Sequence, residues 1–304
     1  MKKVFLLFGK TGLMVTPVIY GGIVSMKDGQ EASDRYVKWS LERGINYYDV
    51  APVYEDAQEK LGNSLIGKRD EIYLACKTTT RTYLEAEKEM TESFRLLHTD
   101  HFDVYQLHAV STKEEIDVAF GKGGIMELLF KAKDEGKIAH IGLTGHNEEA
   151  ILYALSKYDF ETVMYPINWN IHMGQGNGEK LCQLKKERGY GILGMKNQIE
   201  RAWKNNEERY SSKFPKSWCK PFDPKEDPEA AISAMRYALH IGADVLIPPG
   251  NFESFSFCIE NMEKGTAAYT KEDEQILRDR FTKFGHLPFL LEDKGMINES
   301  ENEL

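Results

Sequence analysis

The chain has 304 residues, 41% hydrophobic and 29% charged, which is enough for one large core spanning 1–304 as a single domain. Its formal net charge is -9, from 39 basic and 48 acidic side chains with no basic block, which disfavours a nucleic-acid or anionic-membrane partner. Four dispersed cysteines, Cys76, Cys182, Cys219 and Cys258, make no CxxC pair and fit a reducing cytoplasm, and no apolar run reaches membrane length.

Taken in order, Lys3 to Phe8 and Met14 to Tyr20 read as strands joined by Gly9-Lys10-Thr11-Gly12, so 1–14 is expected to be a hairpin. Pro17 weakens the second run because it cannot donate to a ladder. Gly21-Gly22 ends that run and lets the backbone approach a ligand closely. A regular alternation follows. Helix Glu31 to Glu42 leads to strand Ile45 to Tyr48, helix Ala57 to Ile66 to strand Glu71 to Cys76, and helix Tyr83 to Leu97 to strand Phe102 to Leu107. Helix Gly124 to Glu135 then precedes strand Ile138 to Leu143, and Asn147 caps a helix reaching Lys157.

The second half repeats the unit. Strand Thr162 to Ile167, helix Gly178 to Glu187 and strand Gly191 to Met195 come first. Residues 197–228, rich in charge and proline, are expected to lie as a loop over one end of the domain. Pro228 opens helix Glu229 to His240, and strand Asp244 to Ile247 and helix Phe255 to Met262 complete the series. Thr270 to Phe284 is one more helix, and 292–304 is a polar tail. Counting Val15 to Tyr20 as the first strand gives eight strand–helix units, which argues for a closed parallel (β/α)8 TIM barrel. A doubly wound sheet is the alternative, but no GxGxxG follows an early strand.

In such a barrel, polar groups at carboxyl strand ends meet at one mouth. Asp49 ends the second strand with Tyr54 on its loop, Lys77 ends the third, and His108 ends the fourth. Each alone has a bland reading as a cap, a snorkelling cation, a packed ring or a core imidazole. Four at successive strand ends point to proton donation to a carbonyl. A phenol is a weak acid near neutrality, and an adjacent ammonium lowers its pKa by favouring the phenolate. A carboxylate then holds the lysine, and an imidazole orients the carbonyl oxygen.

These residues resemble the aldo-keto reductase family. The likeness rests on Phe8-Gly9-Lys10-Thr11-Gly12-Leu13, on Gly44-Ile45-Asn46-Tyr47-Tyr48-Asp49 with Tyr54, and on Lys77 in its strand. Phe102-Asp103-Val104-Tyr105-Gln106-Leu107-His108 and Glu135-Gly136-Lys137-Ile138-Ala139-His140-Ile141-Gly142 extend it. The resemblance implies an N-terminal hairpin plug, an added C-terminal helix, and nicotinamide-dependent transfer of hydride to or from a small carbonyl or alcohol. Tyr54 would be the general acid/base, Lys77 and Asp49 its tuning pair, and His108 the orienting imidazole. It leaves oligomeric state open.

The cofactor positions depart from the family. Where the family has Ser-Asn for the carboxamide, this chain has Thr144-Gly145-His146; Thr144 keeps a hydroxyl, Gly145 has no amide, and His146 is the candidate replacement. On the sixth strand Pro166 stands in the place of a glutamine, with Asn168 and Asn170 as substitutes. Met195 replaces the stacking aromatic of the seventh strand. Around the adenosine end, Gly250, Asn251, Glu253 and Asn261 are the expected contacts, and no basic residue lies between Ile247 and Asn261. A carboxylate at Glu253 suits a free ribose hydroxyl and repels a 2′-phosphate, so NAD(H) is favoured over NADP(H), although Lys196 leaves the phosphorylated form open. Two other functions compete: a nucleotide-sensing barrel with little turnover, and a glycosidase, which would want a second placed carboxylate.

Overall fold

Successive strand side chains face opposite ways, and here both rows of most strands are apolar, so both faces of the sheet need cover. The computed structural model describes residues 4–284. Eight parallel strands are hydrogen-bonded in chain order: β1 (Tyr20–Gly21), β2 (Tyr47–Asp49), β3 (Tyr73–Thr78), β4 (Phe102–Val110), β5 (Ile138–Gly145), β6 (Thr162–Pro166), β7 (Gly191–Met195) and β8 (Val245–Ile247). The edges meet where Val18 bridges Leu246; the Ile19 N–H donates to the Leu246 carbonyl at 3.0 Å, and the Leu246 N–H to that of Pro17 at 2.8 Å. Helices flank the ring outside, giving the (β/α)8 barrel.

One row fills the barrel. Ile19, Tyr47, Ala75, Val104, Met164, Leu193 and Val245 pack together, while their neighbours Tyr48, Cys76 and Tyr105 join the cluster under the helices. The hairpin, Leu6–Leu7 paired antiparallel with Met14–Val15, pushes Phe8 into the amino-terminal end of this column. A Cβ on Gly191 would stand 2.5 Å from the Phe8 ring, so glycine there is what admits the plug.

Several boundaries differ from the sequence reading. The run Met14 to Tyr20 splits: Met14–Val15 serves the hairpin, and the first barrel strand is only Tyr20–Gly21. Pro17 is the reason, since it offers a carbonyl but no N–H. Strands β3, β4 and β5 run past the expected ends to Thr78, Val110 and Gly145, which puts Lys77 inside the ladder and His108 within β4 where the register shifts. Helices Lys113–Phe120, Trp169–Gln175 and Asn206–Ser211 were not expected. The first has a readable signature, because Thr112 and Glu115 form a capping box. The expected C-terminal helix runs Lys271–Phe284. Lys3 and the tail 292–304 lie outside the described residues.

Candidate active site

Period-two alternation that buries Tyr47, Ala75 and Val104 sends Asp49, Lys77 and Gln106 inward two residues later. All three side chains are fully buried. The Lys77 ammonium pairs with Asp49 Oδ1, and Gln106 Nε2 donates to Asp49 Oδ2 at 2.8 Å. Burial alone would pull the Lys77 ammonium down, but the Asp49 carboxylate and then Tyr54 outweigh it, and its pKa is raised. Met164 Sδ touches the same ammonium at 3.8 Å. Gln106 was not singled out from the sequence, although a polar residue two before His108 must share its face.

Tyr54 is buried above this pair, with Lys77 Nζ 5.3 Å from its ring centre and hydrogen-bonding to it. The Tyr54 and His108 rings are 5.8 Å apart and nearly perpendicular, at 88°. Burial, then the Lys77 and Arg81 cations, hold the His108 imidazole well below its ordinary pKa, so it is neutral near pH 7. Its Nδ1 is buried without a protein partner. Arg81, also missed, donates from Nη2 to the His108 carbonyl at 2.6 Å and pairs with Glu115 at 3.2 Å. The chain then bulges: Ala109 has φ 55°, the β4–β5 register shifts, and the Ala109 N–H donates to Thr144 Oγ1 at 3.2 Å.

A cavity of about 110 Å³ opens over these groups, lined by Tyr54, His108, Thr144, His146, Met195 and Lys196 from the strand ends. His146 is half-buried; burial, then the Lys196 cation and His108, keep its pKa well below the ordinary value, and its Nε2 has no protein partner. Gly145 does not line the cavity. A Cβ there would sit 2.4 Å from the Val110 carbonyl oxygen, so no side chain fits behind the bulge. That explains the missing amide at this position. A larger groove of about 380 Å³ on the outside of the barrel, beside His172 and Tyr269, shares no residue with this cavity.

The remaining sequence candidates divide. Gly250 lines the cavity, and Gly21 and Gly22 are buried at the end of β1. Asn168 is not presented to the mouth: its Oδ1 caps helix Trp169–Gln175, and its Nδ2 donates to the Lys196 and Ile199 carbonyls at 2.8 and 2.9 Å. Asn251 caps helix Phe252–Glu260, and Asn261, at the other end of that helix, donates to the Phe257 carbonyl. Glu253 forms ion pairs with Lys225 at 3.3 Å and Lys213 at 3.5 Å. Both lysines come from the 197–228 excursion, so the loop expected at the adenosine end is less free of cations than its own sequence implied.

That excursion folds as a ribbon, Ile199–Arg201 against Lys220–Pro221, with helix Asn206–Ser211 between. Lys216, Ser217, Trp218 and Cys219 wall the cavity, and the Trp218 ring is 6.0 Å from that of Tyr54. Trp203 Nε1 holds the Ser217 carbonyl at 2.8 Å. Lys216 Nζ reaches across to the Val24 and Met26 carbonyls at 3.0 and 3.1 Å and to Asp28 at 2.7 Å. Arg201 instead pairs with Glu208 inside the excursion, and Tyr210 is exposed.

The family model of the aldo/keto reductases matches residues 21–220. The chain belongs to the aldo/keto reductase family. An uncharacterized oxidoreductase, YqkF of Bacillus subtilis, is 27% identical over 139 residues, which are 41% of this chain and 44% of that protein. The aldo-keto reductase YhdN of the same organism is 26% identical over 162 residues, 49% of this chain and 47% of that one. The chain thus matches about half the length of these curated relatives. In structure it is similar to an aldo-keto reductase from Bacillus halodurans, with TM-score 0.69, 20% identity, and 92% and 96% of the two chains covered. No helix among the described residues is long and apolar enough to cross a membrane.

Proposed function

We propose that the chain catalyses reversible hydride transfer between a nicotinamide cofactor and a small carbonyl or alcohol. The observation that carries this reading is the buried Asp49–Lys77 pair aimed at Tyr54, with a neutral imidazole beside the phenol. The residue types around the mouth suit a nicotinamide dinucleotide once residues 216–219 move aside. Met195 and Ile247 offer an apolar wall, Lys196 and Lys216 border the same space, and the start of helix Phe252–Glu260 stands at its edge. When bound, the nicotinamide supplies or accepts the hydride.

The protein's own part is proton management. Lys77 favours the phenolate form of Tyr54, Asp49 and Gln106 hold Lys77 in place, and Tyr54 gives its proton to the carbonyl oxygen in reduction. His108, being neutral, donates a hydrogen bond to that oxygen without competing as an acid. Trp218 and its neighbours cover the mouth. A drug-sized ligand takes about 300–1,000 Å³, so admitting a dinucleotide requires 216–219 to swing away from Tyr54. Glu253 and Asp223 already neutralise Lys213, and Glu253 also engages Lys225, so we favour NAD(H). The four buried free thiols fit a reducing compartment such as the cytoplasm.

Titrating the protein with NADH and NADPH, followed by quenching of tryptophan fluorescence, tests the cofactor. A carbonyl screen with the preferred form tests turnover. Failure to bind either dinucleotide sinks the reading. A second reading, a nucleotide-responsive protein with little turnover, is favoured by one observation: Gly145 leaves the carboxamide without its usual amide. Tight binding with no turnover of any carbonyl would select it.

A further inference from the structure

Among the described residues the His108 imidazole has no partner on its buried Nδ1, so its place over the cavity is inherited from its own backbone. That backbone is strained one residue later, where Ala109 takes φ 55° and the β4–β5 register shifts. Arg81 grips both sides of the bulge. Its Nη2 donates to the His108 carbonyl at 2.6 Å, just before the bulge, and pairs with Glu115 Oε2 at 3.2 Å. Glu115 Oε1 in turn accepts the Ser111 and Thr112 N–H groups just after it, the latter at 2.9 Å. The arginine is itself anchored. Its Nη1 donates to the Thr79 carbonyl at 2.9 Å, and its own carbonyl accepts the Ile125 N–H at 2.9 Å. Although it lies directly behind His108, it does not line the cavity.

We propose that Arg81 is a positioning residue: with Glu115 it clamps the Ala109 bulge and so fixes where the His108 imidazole meets the substrate oxygen. The inference rests on the reductase reading above and deepens it. Holding a backbone carbonyl and a carboxylate at once calls for donors forked in fixed directions, which a guanidinium has and an ammonium lacks. The same cation also acts on charge. The groups facing the imidazole are Tyr54 beyond β2, Lys77 on β3, Arg81 beyond it and His146 beyond β5, with Lys196 and Lys216 on the cavity wall. Glu115 and Glu89 act on Arg81 from their helices. Lys77 and Arg81 both disfavour a charged imidazole, so removing the guanidinium lets His108 protonate at higher pH.

The test uses the full chain with its preferred dinucleotide and 4-nitrobenzaldehyde, an electron-poor hydride acceptor, or the best carbonyl of the screen if wild type is idle on it. Wild type, Arg81→Met and Arg81→Lys are compared for kcat and KM against pH, per folded and cofactor-binding site. Arg81→Met should lower kcat by about 10–100-fold, the scale of a misplaced orienting group, with carbonyl KM and cofactor Kd nearly unchanged. The acid limb of its kcat/KM profile should move to higher pH. Arg81→Lys keeps the cation and loses the fork, so its acid limb should stay near that of wild type while kcat recovers only in part. Should Arg81→Met fail to fold, Arg81→Lys and Glu115→Gln carry the test. Each weakens one arm of the clamp and should lower kcat by about 3–10-fold at constant cofactor Kd; wild-type kcat in both would overturn the role. So would wild-type kcat in Arg81→Met, a loss carried by cofactor affinity or folded fraction alone, or an acid limb that does not move, each leaving the reductase reading standing. If wild type reduces no carbonyl at all, the reductase reading falls and this inference with it.

Discussion

The two ends of the barrel handle polar groups in opposite ways. At the amino-terminal end, acids close the seams between strands. Asp103 accepts the Leu74 N–H at 2.8 Å and pairs with Arg69; Glu161 accepts the Ile141 N–H at 2.9 Å and pairs with Lys133; Asp244 accepts the Ile192 N–H at 2.7 Å and pairs with Lys185. At the carboxyl end, His108 and His146 keep unpartnered nitrogens. Backbone strain concentrates there too: Glu55, Ala109 and Lys196, with φ of 47°, 55° and 58°, directly follow Tyr54, His108 and Met195. Such conformations cost on the order of 1–3 kcal/mol each and persist where surrounding structure holds them. One end is spent on stability, the other on keeping groups ready for a ligand.

The sharpest test of that division is Tyr54→Phe. It removes one oxygen from the strained end and no ion pair, so turnover should fall by about 10²–10⁴-fold while the melting temperature holds. Steady-state rates beside a thermal melt check both halves; unchanged turnover would remove Tyr54 from the mechanism. Lys77→Met breaks the division, because its ammonium serves both ends of the argument. Leaving the Asp49 carboxylate buried without its cation should cost about 3–5 kcal/mol of stability as well as activity, read by urea unfolding.

Glu161→Gln is the converse variant. The carboxyl pays a burial cost, but His140, Lys133 and the Ile141 N–H bring its pKa down to about 2 from 4.5. Its contribution is therefore present above pH 4.5 and lost as pH falls toward 2. Allowing for partial exposure, the variant should lose about 1–2 kcal/mol at pH 7 with kcat unchanged. The histidines at the mouth work at higher pH. Unfolded imidazoles bind a proton near pH 6.5 and the folded ones well below it, so the unfolded chain takes up more protons as pH drops. Stability should fall below pH 6.5, by up to about 1.4 kcal/mol per pH unit for each imidazole. His146→Ala should make that slope shallower; an unchanged slope in urea midpoints between pH 7 and 5 would contradict the burial of His146.

The barrel was legible because each unit carries a helix period followed by an apolar strand. Asp49, Tyr54, Lys77 and His108 were legible because polar residues interrupt apolar runs at strand ends. Gln106 obeys the same period and was readable. What sequence could not give was anything set by distant chain. Arg81 reaches the His108 carbonyl across 27 residues, and Lys216 reaches the Val24 carbonyl across 192. Asn168 looked like a cofactor amide because its sequence position suited one, yet the β7 turn consumes it. The bulge at Ala109 decided the fate of Gly145, and no local pattern announces a bulge.

The same limit governs the cofactor preference, which yields the smallest expected effect. Read locally, the segment from Ile247 to Asn261 has no cation; in the fold, Lys213 and Lys225 meet Glu253 from the excursion. On the proposed placement of the ribose beside Glu253, its carboxylate would favour a free hydroxyl in two ways, by repelling a phosphate and by occupying Lys213 and Lys225. Glu253→Gln removes both. Exposed ion pairs contribute about 0–1 kcal/mol, so the NADPH-to-NADH affinity ratio should rise by about 2–5-fold, measured by fluorescence titration at low salt. Raising ionic strength should shrink the gain, because these charges are partly exposed. A ratio that does not move would mean the excursion lysines and Glu253 lie away from the ribose, and cofactor choice would then fall to Lys196.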